Sequence, residues 1–301
     1  MNNIFNLISS IKIFFQRRIV LISIENFNRE FAGKEILSKS LAEEGYLVLL
    51  AHKSIIRVLV ANLPLKNQIY IEKGNRYGSY KYLQKAKNNK LFIYSFDEEG
   101  LMQTDFETFL KRNHEKNTID IIDGIFSWGP KHSNLLRKSG FQEKQVLKTG
   151  NTRFDHYINL RKNKSNSDND KNEVILICSR FASANPNKEI KSSNDNRDGS
   201  QKYIDDSKEI LKLMIALPQI IREAKIKNKI IVRPHPSESK NLWINACKGL
   251  DNVLVTCEEP INDVLLKTKY LIHNRCTTAI EAFLMNVRVI SYEPINLKSP
   301  P

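Results

Sequence analysis

Short apolar runs alternate with longer amphipathic stretches along most of the chain, and this alternation constrains the fold more than any other feature. The first apolar run, Ile19–Ile24, has the character of a buried strand. An amphipathic stretch at Phe31–Glu44 and a second apolar run at Tyr46–Leu50 follow it. Strands that alternate with helices predict a parallel sheet covered by helices on both faces. The predicted fold class is therefore α/β.

The same alternation continues to Asp155 and restarts after a polar stretch at Arg161–Lys171. Before that stretch the further predicted strands are Leu91–Phe96, Gly124–Ser127 and Val146–Lys148, and the helices are Tyr80–Lys87, Phe106–Lys111 and His132–Lys138. After it the predicted strands are Val174–Cys178, Lys229–Val232, Val253–Val255, Tyr270–His273 and Val287–Ser291. The predicted helices there are Tyr203–Lys225, Glu238–Cys247, Ile261–Lys267 and Thr277–Met285, with a polar loop at Asn185–Ser200.

This pattern predicts two doubly wound, Rossmann-like domains, 1–160 and 173–301, joined by a linker at 161–172. Two such domains are expected to face a ligand cleft, with ligands gathered at the carboxyl ends of the strands. The chain stops at Pro300–Pro301, directly after a predicted strand. The second domain is therefore expected to be minimal or to lack its C-terminal end.

Charge is the unusual bulk property of this 301-residue chain. It has 47 Lys and Arg residues against 33 Asp and Glu residues, a net charge of +14. Such an excess suits nucleic acid, an anionic membrane or a phosphorylated ligand, or it reflects lysines spread over solvated faces. No compact Lys/Arg block of the kind that binds nucleic acid is present. We therefore expect no nucleic-acid partner.

The N-terminal segment has apolar residues at helical spacing, and no run reaches the ~18 apolar residues that a membrane-spanning helix needs. The stripe consists of Ile4, Leu7, Ile8, Ile11, Phe14 and Phe15. It either rests on an anionic bilayer or packs on its own domain. The four cysteines show no CxxC pairing, which favours reduced thiols in a cytosolic protein. The expected location is the cytoplasm, with peripheral binding to the inner membrane as the open alternative.

Three acidic residues followed by glycine, Asp97-Glu98-Glu99-Gly100, come directly after the predicted strand Leu91–Phe96. Adjacent carboxylates repel one another, which is expected to raise the pKa of at least one of them. A carboxylate of that kind can take a proton from an incoming hydroxyl group. An ordinary acidic loop is the alternative interpretation.

Two loops in the second half also follow predicted strands. His235 lies in Arg233-Pro234-His235-Pro236, where two prolines restrict the backbone of a side chain that can donate to a phosphate. The other loop, His273-Asn274-Arg275-Cys276-Thr277-Thr278, opens a helix that carries Glu281. Free backbone N–H groups and hydroxyls there can form an anion site. Thr277 or Thr278 is also expected to be the N-cap, with Glu281 completing a capping box from Thr278. Ser179, directly after the strand Val174–Cys178, and Pro236 complete the candidate nucleotide-binding residues.

Several other kinds of site find no support in the sequence. It contains no GxGxxG or GxxxxGK[ST] stretch, and no nucleophile elbow. His273 and Cys276 have no second pair to complete a zinc site, and Asp205-Asp206 lies on a predicted helix. We therefore expect no metal and no cofactor.

With its three motifs in this order, the chain resembles bacterial GT-B glycosyltransferases that use CMP-sugars, the sialyl-, polysialyl- and Kdo transferases of surface carbohydrate (capsule and lipopolysaccharide) biosynthesis. Their D/E-D/E-G motif is matched by Glu98-Glu99-Gly100 and their HP motif by His235-Pro236. Their hydroxyl pair is matched by Thr277-Thr278, with Thr in place of the usual Ser. The resemblance extends from about Ile19 to Glu293.

The resemblance implies an inverting, metal-independent transfer to a saccharide or lipid-linked saccharide. Glu99 would deprotonate the acceptor hydroxyl, and His235 would stabilise or protonate the phosphate of the departing CMP. Thr277 and Thr278 would hold the phosphate oxygens, and Glu281 would accept hydrogen bonds from the ribose.

Three other functions remain open on the same fold. A UDP-sugar 2-epimerase would have Ser-Gly-Gly where this chain has Arg275-Cys276-Thr277, which argues against it. A CDP-glycerol phosphotransferase also uses a cytidine nucleotide. The third is a truncated, non-catalytic GT-B remnant that binds a partner or a membrane.

Overall fold

Two parallel β-sheets organise the chain in the computed structural model, which describes residues 18–75, 78–98, 116–164, 174–187 and 201–294. The chain divides into two compact units, unit 1 (Met1–His156) and unit 2 (Tyr157–Pro301). Each unit contains one of the sheets, and the α/β prediction is confirmed.

Unit 1 contains a six-stranded parallel sheet in the order β2-β1-β3-β4-β5-β6. Its strands are β1 (Ile19–Ile24), β2 (Leu47–His52), β3 (Ile69–Glu72), β4 (Phe92–Ser95), β5 (Gly124–Ser127) and β6 (Val146–Lys148). Its helices are α1 (Phe27–Glu43), α2 (Lys53–Asn62), α3 (Tyr80–Asn88) and α4 (Pro130–Lys138), with short 3-10 turns at Lys116–Thr118 and Glu143–Gln145. Helix α5 (Thr152–Lys164) begins in unit 1 and ends in unit 2.

Unit 2 contains a five-stranded parallel sheet in the order β11-β10-β7-β8-β9. Its strands are β7 (Val174–Cys178), β8 (Ile230–Arg233), β9 (Val253–Val255), β10 (Thr268–His273) and β11 (Arg288–Ser291). Its helices are α6 (Gln201–Glu223), α7 (Lys240–Ala246), α8 (Ile261–Leu266) and α9 (Thr278–Leu284). Among the described residues, no helix is long and apolar enough to cross a membrane.

Strand β1, which lies between β2 and β3, is apolar at nearly every position because both faces of its sheet are covered by helices. All six of its residues are buried. Successive side chains of a strand point to opposite faces. Ile19 and Leu21 accordingly join the core that contains residues of α2 and α3, whereas Val20 and Ile22 pack with residues of α1. Full burial of each such side chain contributes about 1.5–3 kcal/mol relative to its exposed state.

Gly33 shows how closely α1 packs within unit 1. A β-carbon at this position would lie 2.6 Å from the backbone of Arg153, well inside van der Waals contact. Glycine therefore allows α1 to reach the start of α5.

The structure also contains elements that the sequence pattern did not predict, namely α2, β3 and α5. Of the expected linker at 161–172, residues 161–164 belong to α5, and 165–172 lie outside the described residues. The apolar stripe near the N-terminus, the helix expected at Phe106–Lys111, and Glu99 with Gly100 also lie outside them.

Candidate functional site

The strand order of unit 2 identifies where a ligand is expected. Connections run outward from β7 in one direction to β8 and β9, and in the other direction to β10 and β11. Ligands of open α/β sheets bind outside the carboxyl ends of the strands where this direction reverses, which here is between β7 and β10. Cys178 and His273 end these two strands and are paired in register. The loops after them, beginning at Ser179 and Asn274, therefore lie side by side.

The loop that contains His235 follows β8, the neighbour of β7 on the other side. Cys178 is paired with Arg233, the last residue of β8. The structure thus brings Ser179, the His235 loop and the Thr277-Thr278 loop to one edge of one sheet. Their roles in binding remain predictions.

Glu238 joins two of these loops, and the sequence analysis did not identify it. Its side chain is only 1% exposed. The carboxylate accepts hydrogen bonds from the Ser179 hydroxyl at 2.9 and 3.0 Å and from the Phe181 backbone N–H at 2.7 Å. It also accepts one from the His235 backbone N–H at 3.3 Å. Burial raises the pKa of Glu238.

Main-chain contacts hold the same two loops together. The Asn187 N–H donates to the Ser237 carbonyl oxygen at 2.8 Å, and the Ser239 N–H donates to the Asn185 carbonyl oxygen at 3.0 Å. The start of the predicted polar loop Asn185–Ser200 is therefore hydrogen-bonded to the residues that follow β8.

The His235 ring is exposed, whereas Pro234 before it is buried and Pro236 after it is exposed. Its Nδ1 accepts a hydrogen bond from the Ser237 backbone N–H at 3.2 Å and lies 2.6 Å from the Ser237 hydroxyl oxygen. Because Nδ1 accepts, the proton of the neutral ring is on Nε2. Nε2 is thus the nitrogen suited to donate to an anion.

The loop after β10 is fixed by His273 and Arg275. The Cys276 backbone N–H donates to His273 Nδ1 at 3.2 Å, and Arg275 has a left-handed φ of 47°. Burial lowers the pKa of His273, which favours the neutral ring that accepts this bond. The Asn274 side chain donates to the Tyr292 carbonyl oxygen at 2.9 Å, which ties the loop to the residues after β11.

The predicted capping box from Thr278 to Glu281 is wrong. The N-cap residue is Thr277, and its side chain makes no capping hydrogen bond. The backbone of Thr277 is helical, with φ −62° and ψ −25°, whereas a capping side chain generally needs an extended backbone. Thr277 and Thr278 are partly exposed, and Glu281 is buried.

Two of the four cysteines meet at the β7/β10 switch point. The Cys178 thiol donates a hydrogen bond to the Cys276 sulfur, which also lies 3.3 Å from the Thr278 hydroxyl oxygen. The bond from Cys178, with further hydrogen bonds from Thr278, lowers the pKa of Cys276 to about 6. The same bond and then burial raise the pKa of Cys178. The lowered pKa favours the thiolate form of Cys276 next to Thr278.

Each of the three loops also contributes an arginine. Arg180 follows Ser179, Arg233 ends β8, and Arg275 lies in the loop after β10. Arg233 donates to the Glu259 carbonyl oxygen at 2.6 Å, and Arg275 lies 3.6 Å from a carboxylate oxygen of Glu293. No sequence pattern marks these arginines as a set, because only the strand order makes their loops neighbours.

In unit 1, the acidic loop follows β4, and its first carboxylate is anchored inside the unit. Asp97 is buried, and its Oδ2 lies 3.1 Å from His132 Nε2. The Trp128 backbone N–H donates to His132 Nδ1 at 3.1 Å, so Nε2 is the nitrogen that donates to Asp97. The Trp128 indole N–H also donates to the Asp97 carbonyl oxygen at 2.6 Å.

Glu98 is anchored separately. Its Oε1 lies 3.1 Å from Lys34 Nζ, which also lies 2.7 Å from Glu30 and donates to the Ser23 carbonyl oxygen at 2.9 Å. All three charged side chains are buried. We expected adjacent carboxylates that repel one another, but Asp97 and Glu98 each have their own partner. Glu99, the third acid of the Asp97-Glu98-Glu99-Gly100 motif, lies outside the described residues.

At the switch point of unit 1, between β1 and β3, the charges are mixed. Glu25 follows β1 and forms ion pairs with Lys73, after β3, and with Lys53, after β2. This edge of the sheet therefore offers lysines and a carboxylate to a ligand.

Within the described parts of the chain, no group of three or more His, Cys, Asp or Glu side chains could hold a metal ion. Asp205 is on α6, where its carboxylate accepts from the Gln201 side chain at 3.0 Å and lies 3.3 Å from Lys208 Nζ.

No protein-family model matches the sequence of this chain, and no curated protein matches it. Solved structures do resemble it. UDP-GlcNAc 2-epimerase from Methanocaldococcus jannaschii, in complex with UDP-GlcNAc and UDP, has a TM-score of 0.61 at 13% identity, over 91% of this chain and 83% of that one. MnaA from S. aureus, solved with UDP, has a TM-score of 0.59 at 13% identity, over 91% and 78%.

The wall teichoic acid polymerase TagF, solved with CDPG, has a TM-score of 0.52 at 10% identity, over 91% of this chain and 69% of that one. Identities this low establish the fold alone. The chain has the GT-B type of α/β fold, with two parallel sheets.

Proposed function

We propose that the protein is an inverting glycosyltransferase that takes its sugar from a CMP-sugar donor, in the synthesis of a bacterial surface polysaccharide. The observation that carries the proposal is the position of His235. Its loop, fixed by Glu238, holds the exposed imidazole at the carboxyl edge of the unit 2 sheet, beside the β7/β10 switch point. A nucleotide phosphate is expected at that edge.

In this proposal, His235 Nε2–H donates to the phosphate of the departing CMP. The hydroxyls of Thr277 and Thr278 donate to its remaining oxygens, and the arginines of the three loops lower the cost of the negative charge. Ser179 is bonded to Glu238, so it acts by holding the two loops in position. Glu281 is assigned to the ribose.

The acceptor hydroxyl is activated in unit 1. Glu99 takes the hydroxyl proton, the acceptor oxygen forms a bond to the anomeric carbon, and the bond from that carbon to the CMP oxygen breaks with inversion. The electron pair of the broken bond leaves with CMP. Asp97 and Glu98 are each bound to a buried partner, which supports Glu99 as the base of the motif.

The three arginines favour a second candidate, in which the donor carries a diphosphate. Arg180, Arg233 and Arg275 supply more positive charge than one phosphate needs. MnaA was solved with UDP and TagF with CDPG, and both resemble this fold. A CDP-glycerol phosphotransferase or a UDP-sugar 2-epimerase would use a substrate with such a diphosphate.

Calorimetry with CMP, CDP, UDP and GDP in EDTA separates these donors. The proposal expects CMP to bind most tightly and without a divalent ion. Tighter binding of UDP than of CMP, or an absolute need for magnesium or manganese, would show that the donor class is wrong. Incubation with UDP-GlcNAc, followed by analysis for the 2-epimer, tests the epimerase directly. A protein that does not melt at a higher temperature with any of the nucleotides would be a non-catalytic remnant.

A further inference from the structure

A cavity of about 370 Å³ in unit 1 is lined by helices α2 and α3 and is separate from the residues assigned above. Its charged lining consists of Lys53, Arg57 and Lys85, and no carboxylate is among the described residues that line it. Tyr82 and Val58 supply aromatic and aliphatic walls.

Arg57 is held rigidly at this cavity. Its Nε lies 3.1 Å from Glu72, which is fully buried and also accepts from the Ser23 hydroxyl at 2.8 Å. The guanidinium carbon lies 4.4 Å from the centroid of the Tyr82 ring, and Lys81 Nζ lies 5.0 Å from the same centroid. An ion pair on one side and an aromatic ring on another fix the plane of the guanidinium group.

Lys53 links the cavity to the switch point of unit 1. It begins α2 directly after β2 and pairs with Glu25, which follows β1 and also pairs with Lys73. One carboxylate is thus shared between two lysines. Burial, and then the positive charge of Arg57, lower the pKa of Lys53. An anion in the cavity would relieve this repulsion between cations.

The charges around the cavity do not balance. Among the described residues, the lysines at 53, 73 and 85 and the guanidinium of Arg57 outnumber the carboxylates that act on them, those of Glu25, Glu30 and Glu72. Helix α2, which carries Arg57, also has exposed apolar side chains, with Val58 60% and Ile55 54% exposed. The surface therefore offers positive charge for an anion beside an apolar patch.

We propose that this cavity binds a phosphate group, and that the phosphate belongs to the acceptor of the transfer reaction. Only the assignment of this phosphate to the acceptor rests on the proposed function. Arginine and lysine together recognise phosphate through charge-assisted hydrogen bonds. The cavity is larger than one phosphate needs, which leaves room for the group that carries it. Lys53 begins α2 directly after β2, so one end of the cavity lies towards the carboxyl ends of the unit 1 strands, where ligands are expected.

The first experiment measures binding of inorganic pyrophosphate by calorimetry, with CMP at saturation so that the unit 2 site is filled. Lys85→Gln is expected to weaken binding about tenfold or more, since it removes a charged hydrogen-bond donor. Val58→Glu is expected to do the same by repulsion. Val58→Gln, which has nearly the same size without the charge, and Lys39→Gln, on the exposed face of α1, are the controls. Equal effects of Val58→Glu and Val58→Gln, or no saturable binding, would overturn the proposal.

The second experiment identifies the source of the phosphate. Sedimentation with vesicles of phosphatidylglycerol and phosphatidylcholine, in comparison with phosphatidylcholine alone, tests a lipid headgroup. Retention that Lys85→Gln abolishes and pyrophosphate competes away would identify the headgroup as the ligand. Pyrophosphate binding without vesicle retention would identify a soluble phosphate.

A transfer assay tests whether the phosphate bound in this cavity belongs to the acceptor. Lys85→Gln is expected to raise KM for a phosphorylated acceptor and to leave kcat unchanged. If no transfer activity exists but the pyrophosphate result holds, the proposed function fails and the phosphate site stands. If transfer occurs and pyrophosphate does not bind, the phosphate site fails and the proposed function stands.

Discussion

The hydroxyl of Ser179 donates to the carboxylate of Glu238 and lies 2.9 and 3.0 Å from its two oxygens, although the two residues follow different strands. Ser179 comes after β7 and Glu238 comes after β8. Through the same carboxylate, Glu238 accepts from the backbone of His235. A single buried acid thus sets the distance between the two loops that the proposed nucleotide site needs.

Glu238→Gln is expected to lower the free energy of unfolding by about 1–3 kcal/mol, because an amide nitrogen would face buried donors. It is also expected to weaken CMP binding, because the His235 loop loses its anchor. Urea unfolding and calorimetry measure the two effects. The conservative Ser179→Ala removes one donor and keeps the acid, so a larger effect from Ser179→Ala than from Glu238→Gln would contradict this role.

The raised pKa of Glu238 also predicts a dependence on pH. The folded protein holds this proton more tightly than the unfolded chain does, so the contribution to stability is complete below the ordinary value of 4.5. It is lost as the pH rises through the raised folded value. The difference in unfolding free energy between wild type and Glu238→Gln is therefore expected to change in the pH range directly above 4.5. A difference that is flat from pH 4 to 7 would show that Glu238 titrates normally.

His235→Ala is expected to weaken CMP binding by about 1.5–3 kcal/mol, the range for a lost hydrogen bond to a charged group. Calorimetry in EDTA measures the change. The ring is exposed, so the melting temperature is expected to stay within a few degrees of wild type. His52→Ala is a matched control, because His52 is also an exposed histidine whose Nδ1 accepts from a serine two residues later. Equal binding by the two variants would remove His235 from the site.

The acidic motif predicts two different outcomes for neighbouring residues. Glu99→Gln is expected to keep the fold and to lower turnover by roughly a hundredfold or more, as loss of a general base does. Glu98→Gln removes one of the two carboxylates paired with buried Lys34, which keeps Glu30, and is expected to cost about 1.5–3 kcal/mol of stability. Turnover and urea unfolding of both variants are the measurements. Near-normal turnover in Glu99→Gln would refute the assignment of the base.

Cys276 is expected to react with iodoacetamide faster than an ordinary thiol at neutral pH, since its thiolate forms with a pKa of about 6. The rate is expected to rise between pH 5 and 7 and then to level off. Cys178→Ala removes the donor and is expected to move this rise to higher pH. Mass spectrometry of the labelled peptide assigns the site. Protection by CMP would support a nucleotide beside Thr278, and a rise centred near pH 9 in wild type would refute the thiolate.

Much of the fold could be predicted from the sequence because buried parallel strands are continuous apolar runs. Ile19–Ile24 and Val174–Cys178 have the bounds expected for them. Helix α2 was missed because its β-branched residues are typical of strands, whereas packing of Ile56 and Val60, one helical turn apart, decides its structure. Strand β3 is only four residues long and has little pattern of its own.

The candidate site was predictable only where chemistry and sequence position coincide. His235 and the threonine pair follow apolar runs, so a strand-end position could be inferred. Glu238, Arg180 and Arg233 could not be recognised in this way, because their meaning depends on β8 lying next to β7, and that of Arg275 depends on β10 lying next to β7. The capping box failed for a local reason, the helical backbone of Thr277.

The pairing of β7 with β10 has a consequence for how unit 2 folds. Cys178 and His273 are far apart in sequence, and β8 and β9 come between them in the chain. A contact between such distant segments costs loop-closure entropy and forms slowly. The hydrogen bond from the Ser179 hydroxyl to the Glu238 carboxylate needs only β7 and β8, so that half of the proposed site can form during synthesis. In the proposed site, Cys276 and the threonine pair come next to Ser179 only when β10 has joined β7, so we expect nucleotide binding to appear late in the folding of unit 2.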